Sequence, residues 1–359
     1  MDAALVPMVK AEAYGLGMPA VVSALARFPT PDQPWAFGVA AVSEGERLRS
    51  LGWSGRILVF SPVTPPDFER AAAAALTICI SDLDGARRWA AAAGSLARRL
   101  PFHVEIDTGM GRAGFLWDRA AEWGPNVLAE AAGKLIWEGT YTHFHSADGP
   151  DMASADEQWE RFRLAVDKLP VIEPSPLLHT SNSAGIFRRQ GYGCKLARPG
   201  IYLFGGRAGP DAEPAPVVSV RARLVLIKEV EPGSTVGYGA TYRATRRERW
   251  GTLAIGYGDG LPRRLAAAGG EALLRGRRTA IIGRISMDMT TIDLTDLPDA
   301  EVGDEVTLIG QNGDQRITVD EVAIRCGTIS YEILTGLGTR LPRIYLGEND
   351  QPWLDPEPG

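Results

Sequence analysis

An α/β fold, a (β/α)8 TIM-like barrel followed by a mainly β C-terminal domain, is predicted by three observations. Short β-like runs alternate with helix-favouring stretches from Leu5 to Phe204, the pattern of parallel βα units. Eight such runs within about 200 residues suit a compact barrel. A segment rich in proline and glycine, GGRAGPDAEPAPVV, then begins at Gly205, and the runs beyond it are β-like and separated by turn residues. The expected divisions are a barrel over 1–214, a β-rich domain over 215–346 and a disordered tail over 347–359.

The barrel strands are expected at Leu5–Val9, Ala36–Val39, Arg56–Phe60, Leu76–Ile80, Phe102–Asp107, Trp137–His143, Leu177–Thr180 and Lys195–Arg198. Between them, Ser43 with Glu46 and Ser154 with Glu157 have capping-box spacing, in which each side chain satisfies a free backbone N–H. Ala71–Ala75 and Ala90–Ala93 favour helix. In the second domain, strands are expected at Val218–Val230, Thr252–Ile255, Thr279–Ile282, Thr290–Leu294 and Glu305–Ile309. Turns at Pro232-Gly233, Asp259-Gly260 and Asn312-Gly313 divide them.

Composition narrows the function. The chain has 359 residues, enough for two domains, and its net charge of -6 argues against nucleic acid as a general partner. No run of about 18 apolar residues suggests a membrane span, and no secretory signal is visible in MDAALVPMVK. Cys79, Cys194 and Cys326 form no close pair and no metal-ligand spacing, which fits reduced thiols in a cytoplasm.

Lys10 ends an apolar run and precedes Tyr14, Gly15 and Gly17 in MVKAEAYGLG. An apolar surround disfavours the ammonium form, so a lysine at the end of a buried strand can shed its proton and attack a carbonyl. Taken alone, an ordinary solvated lysine is the commoner case. Asp107 and Arg112 lie in HVEIDTGMGRAGF, a strand running into a glycine-rich loop; a guanidinium there can hold a carboxylate at two points. Glu105 and Asp107, two apart on a strand, face the same side. His143 and His145 in THFHSAD have the spacing of a metal pair on one strand face, but only His103 and His179 remain to complete a histidine site. Asn182 and Ser183 open a helix after a strand, either as an N-cap or as a phosphate site. Arg198 precedes Pro199, which holds it extended, and Gly200 can bring its N–H near an anion. Tyr238 sits between glycines in VGYGATY, where a turn or packing role is the ordinary one.

Together these runs resemble those of the alanine racemases, in family order from about Leu5 to Leu346. MVKAEAYGLG resembles the stretch that binds pyridoxal phosphate, DTGMGR its arginine loop, THFHSAD the run THFATAD, and VGYGATY the run SYGATY. LLHTSNSAGIF, ARPGIYLFG, IGYGDG, RISMDM and ISYEI are similar to further runs. The resemblance implies a pyridoxal 5'-phosphate-dependent isomerase that interconverts L- and D-alanine and supplies D-alanine for peptidoglycan. It implies Lys10 as cofactor-bearing base and Tyr238 as second base, donated across a head-to-tail homodimer. Tyr14, Ser183, Gly200 and Ile201 correspond to phosphate contacts, and Arg198 to the partner of the pyridine nitrogen. Arg112 corresponds to the residue meeting the phenolic oxygen and substrate carboxylate, and His143 to the histidine packed on the pyridine face. Tyr257, Met287, Asp288 and Tyr331 correspond to the substrate mouth and pocket, Tyr331 also on the cofactor side.

Two departures stand out. Glu105 occupies the place of a lysine whose carbamate steadies the arginine in many relatives, so Glu105 is expected to supply that negative charge itself. Relatives also carry a strand and a helix ahead of the lysine motif that this chain does not show; an exposed sheet edge and an uncovered barrel surface are expected in consequence. Other readings are a non-catalytic carrier of the same cofactor, which would lack the β domain and Tyr238, and a racemase of another small amino acid such as serine. A metal-dependent hydrolase rests on His143 and His145 alone. A decarboxylase of basic amino acids would need a pocket for a long substrate, against the aromatic set Tyr257 and Tyr331.

Overall fold

In chain order, the first strands of the computed structural model are β1 (Ala4–Leu5), β2 (Ala36–Val39), β3 (Arg56–Val59), β4 (Thr77–Ile80), β5 (Leu100–Asp107), the short β6 (Phe115–Leu116), β7 (Leu135–Tyr141), β8 (Leu177–His179) and β9 (Leu196–Ala197). The structure describes residues 3–30, 32–188, 192, 194–210 and 212–347. β2-β3-β4-β5-β7-β8 form one parallel sheet, β1 pairs with β9, and β6 lies beside β5. Backbone hydrogen bonds then close the ring. Lys195 N–H donates to Leu178 O and Arg198 N–H to Ser181 O, both at 3.0 Å. Gly38 N–H donates to Pro7 O at 2.9 Å and Val9 N–H to Gly38 O at 2.8 Å. The eight expected strands are therefore a closed barrel, and β2 and β4 are buried along their whole length, as parallel strands covered on both faces must be.

The chain between strands forms α1 (Lys10–Tyr14), α2 (Met18–Ala26), α3 (Val42–Ser50), α4 (Asp67–Ala73), α5 (Leu83–Ser95), α6 (Ala120–Ala131), α7 (Ala153–Val166) and α8 (Ser183–Arg188). Trp89, Phe102 and Phe162 are fully buried between helices and sheet, each stabilising the fold by about 1.5–3 kcal/mol. Both expected capping boxes are displaced. Helix α3 starts earlier, and its cap carboxylate is Glu44 rather than Glu46. Ser154 lies inside α7, whose start is held by Asp151 accepting the Ala153 N–H at 2.9 Å.

The second domain contains β10 (Val220–Val230), β11 (Thr235–Val236), β12 (Tyr242–Arg243), β13 (Glu248–Leu253), β14 (Glu271–Leu274), β15 (Arg277–Ile282), β16 (Thr290–Asp293), β17 (Glu305–Asn312) and β18 (Gln315–Ile317), then α9 (Val319–Arg325) and α10 (Ser330–Thr335). The order is β10-β13-β16-β15-β14-β17-β18, with β10 also paired to β17. That extra pairing closes a six-stranded ring. The open sheet edge expected from the sequence is absent from this ring, because β10 is long enough to pair with β17 through its first residues and β13 through its last. The expected tail, beyond Gly347, lies outside the described residues.

Helix α10 returns to the barrel and fixes the two domains together. Tyr14 and Tyr331 have ring centroids 6.0 Å apart. Arg343 donates to Gly15 O and Tyr345 to Leu16 O, both at 2.9 Å. A Cβ on Gly15 would meet Leu334 O at 2.3 Å, so this contact requires glycine.

Candidate active site

The residues singled out on the barrel lie at the C-terminal ends of its strands, where this fold places its chemistry. Lys10 follows β1 and opens α1, which is a left-handed turn: Ala11, Glu12, Ala13 and Tyr14 have φ of 52, 56, 51 and 58°. Burial lowers the Lys10 pKa, as does the positive charge of Arg112, while Glu44 opposes them. The amine is therefore easier to deprotonate than a solvated lysine. His143 is pushed down to about 3 by burial, then by Arg198, Arg112 and Lys10. These four groups accordingly share one electrostatic neighbourhood, with His143 neutral at working pH.

Tyr14, Ser183 and Gly200 meet in a small cradle. Gly200 N–H donates to Ser183 Oγ at 2.8 Å, and a Cβ on Gly200 would meet the Tyr14 hydroxyl at 2.4 Å. Ile201 opens a buried 3₁₀ turn after Gly200, and the first N–H groups of such a turn have no partner inside it. Tyr14, Ser183, Gly200 and Ile201 are thus brought together from three segments, with Tyr331 beside Tyr14. Asn182 takes the capping role: its Oδ1 accepts the Gly185 N–H at 3.0 Å.

Arg198 is fully enclosed in the barrel. Its Nη1 reaches His179 Nδ1 at 2.8 Å and His179 O at 3.0 Å, and its Nη2 donates to Thr142 O and Thr180 O. Among the described residues, none of these bonds uses Nε. Behind Arg198, His179 Nε2 lies 2.8 Å from His103 Nδ1, and Glu138 stands 3.5 Å from His103 Nε2. Burial lowers the pKa of both histidines; cationic Arg198 adds to the fall at His179, while at His103 Glu138 opposes it ahead of the smaller push from Arg198. The described hydrogen bonds of Arg198 therefore run to His179, not to His143. His179 was visible in the sequence only as a spare histidine; its signal was a position at the end of a buried strand, just before the Asn182–Ser183 turn.

Asp107 Oδ1 accepts the N–H groups of Gly109 and Gly111 at 2.9 and 3.0 Å and so shapes the loop that carries the exposed Arg112. Glu105 is buried. Burial raises its carboxyl pKa, while the Tyr141 phenol, Arg112, Arg198 and Ser81 oppose that rise. Ser81 Oγ stands 3.3 Å from Glu105 Oε2. His145 bonds to Ser146 Oγ through Nδ1 at 2.7 Å; among the described residues no group of three His, Cys, Asp or Glu side chains gathers to hold a metal.

The second-domain residues form their own group. Tyr257 and Gly258 N–H donate to Ser286 O at 3.0 Å and Met287 O at 2.8 Å, binding IGYGDG to RISMDM. Arg340 joins Asp288 at 2.8 Å and Asp259 at 3.0 Å. Tyr238 lies on the arm between β11 and β12, 68% exposed. Glu248 anchors that arm, accepting from Tyr242 at 3.0 Å and Trp250 at 2.7 Å. Among the described residues, no hydrogen bond, ion pair or ring contact joins Tyr238, Tyr257, Met287 or Asp288 to Lys10, Arg112 or His143 within one chain.

Residues 1–208 match the family described as alanine racemase, N-terminal domain, and residues 217–345 the alanine racemase C-terminal domain. The chain belongs to the alanine racemase family. Alanine racemase of Halothermothrix orenii is 37% identical over 95% of this chain and 89% of its own length. That of Synechocystis is 35% identical over 95% and 92%. An alanine racemase structure from Clostridium difficile superposes with a TM-score of 0.90 at 30% identity, covering 98% of this chain and 91% of that one. A Bartonella henselae alanine racemase structure, described with covalently bound pyridoxal phosphate, gives 0.85 at 27% identity, covering 96% and 93%. Membership gives this chain the family's activity, the pyridoxal-phosphate-dependent racemisation of alanine. Among the described residues, no helix is long and apolar enough to cross a membrane.

Proposed function

We propose that the chain interconverts L- and D-alanine with two proton-transferring groups, Lys10 and the tyrosine at position 238 of a second subunit, around pyridoxal 5'-phosphate. The observation that carries this reading is the shared neighbourhood of Lys10, Arg112, His143 and Arg198 above the Tyr14–Ser183–Gly200 cradle. The donor set fits the cofactor. Tyr14, Ser183, Gly200 and Ile201 would hold its phosphate, and Arg198 would meet its pyridine nitrogen. The cofactor, when bound, draws electron density from the substrate Cα and acidifies its proton. A guanidinium can only donate, so Arg198 would leave that nitrogen unprotonated and favour proton return over other exits. Arg112 holds the substrate carboxylate. Lys10, whose amine burial makes easier to deprotonate, serves one face of Cα, and the tyrosine serves the other.

The exposure of Tyr238, Met287 and Met289 at 68%, 52% and 53% supports a head-to-tail homodimer in which this surface completes the partner's site. The free thiols of Cys79, Cys194 and Cys326 suit a cytoplasmic setting, where the D-alanine produced feeds peptidoglycan synthesis. In the test, a solution of L-alanine with the purified chain and pyridoxal phosphate loses its optical rotation completely; rotation that stays constant contradicts the proposal. L-Serine in a parallel cell measures substrate breadth.

Glu105 is assigned as the fixed anion beside Arg112. Glu105→Gln keeps the shape and removes the charge, and kcat/KM for alanine is expected to fall about tenfold, the worth of about 1.4 kcal/mol. Undiminished activity would sink the assignment.

A further inference from the structure

A residue that carries a Cβ is disfavoured in a left-handed turn. Four consecutive ones, Ala11 to Tyr14, therefore need support from their surroundings. Ala13 N–H donates to Val9 O at 2.9 Å and Gly15 N–H to Ala11 O at 2.8 Å, but the first N–H of any helical turn has no partner within it. In this turn that orphan is Ala11 N–H, on the residue after Lys10.

The partner comes from α3. Glu44 is the third residue of that helix, and its Oε2 accepts Ala40 N–H at 2.8 Å and Ala41 N–H at 3.0 Å. This is the ordinary reach of a helix-start glutamate to its own cap. Its second oxygen does something a cap does not require: Oε1 accepts Ala11 N–H at 2.6 Å, across 33 positions of sequence. Further along the same helix, Arg47 pairs with Glu12, the next residue of the left-handed turn. That ion pair is half exposed and so contributes little; the charge-assisted bond to Ala11 is the stronger tie.

We propose that Glu44, with Arg47 beside it, is a positioning residue for Lys10: the carboxylate pins Ala11 N–H and thereby fixes the direction in which the Lys10 side chain leaves its strand. The proposal rests on Lys10 as the reactive amine. A displacement of about 1 Å at such a group can cost about a hundredfold in rate, so a clamp one residue away acts on kcat.

The test is Glu44→Gln. A glutamine keeps one carbonyl oxygen for the α3 cap, whereas its NH₂ cannot accept Ala11 N–H. Hydrogen exchange of the full-length, cofactor-free chain, read by peptide mass spectrometry, is expected to rise about tenfold over residues 10–17 and to stay unchanged over 45–50. In the loaded enzyme kcat falls about tenfold with KM within about twofold. Arg47→Met leaves the cap intact and raises exchange over 10–17 by about two- to threefold. Exchange over 10–17 that matches wild type in the glutamine chain overturns the proposal, as does equal acceleration over both segments, which is the mark of a cap alone. If the glutamine chain does not fold, Arg47→Met decides: a rise over 10–17 supports the clamp, and no rise overturns it. The cofactor-free readout does not depend on what Lys10 binds, so its failure is separate from failure of the catalytic reading.

Discussion

Lys10→Ala abolishes racemisation, lowering kcat/KM by about 10⁴-fold or more. The magnitude follows from the two roles proposed for the amine, as the covalent tether of the cofactor and as a proton acceptor on one face of Cα. The surrounding charges cannot substitute for it. Arg112 is a permanent cation, and His143, held neutral by burial and then by Arg198 and Arg112 even without Lys10, is no nucleophile matched to a carbonyl. Two measurements check the expectation. Optical rotation of L-alanine stays constant with the variant, and borohydride fixes the cofactor on the peptide carrying Lys10 in the wild type but adds no mass to that peptide in the variant.

Tyr238→Phe gives the second largest effect, a loss of about 10²–10⁴ in kcat, the range of a single general acid or base. The loss is not symmetric. With Lys10 still serving its own face, one enantiomer of alanine continues to exchange its α-hydrogen for deuterium in D₂O, while the mirror image does not. Proton NMR of separate D- and L-alanine solutions reads both rates. Equal exchange of the two enantiomers would show that Tyr238 serves neither face alone.

Much of this was legible in the chain because parallel βα units announce themselves locally. The largely apolar runs AFGV and TICI end where loops begin, and the residues just past such ends, Lys10, Asn182, Ser183 and Arg198, are where a barrel puts its chemistry. Helix starts were less legible. Ser43 three residues before it favours Glu46, whereas Glu44 follows Ala41, which has no capping side chain, so the observed start of α3 carries no capping-box signature in the sequence. The relay behind Arg198 was hidden for a similar reason, since His103 and His179 are 76 positions apart and become partners only when β5 and β8 take their places in the ring. Strands β14 and β18 also went unseen, because EALL and QRI are too short for an alternating pattern to show. The left-handed turn leaves no local mark at all. Alanine and glutamate have no preference for positive φ, and the conformation is imposed by Glu44 and the glycines that follow.

The central claim is that one complete site draws Lys10 from one subunit and Tyr238 from the other, and mixing two inactive chains tests it directly. Lys10→Ala and Tyr238→Phe chains are unfolded together in equal amounts, refolded and assayed for loss of optical rotation. In a shared-site dimer, each mixed pair holds one site with both groups native and one with neither, and half of all pairs are mixed. Activity returning to about a quarter of the wild-type value is the predicted result. A mixture no more active than its parents, with mixed dimers shown to be present, contradicts the account, because each Tyr238 would then serve the site of its own chain.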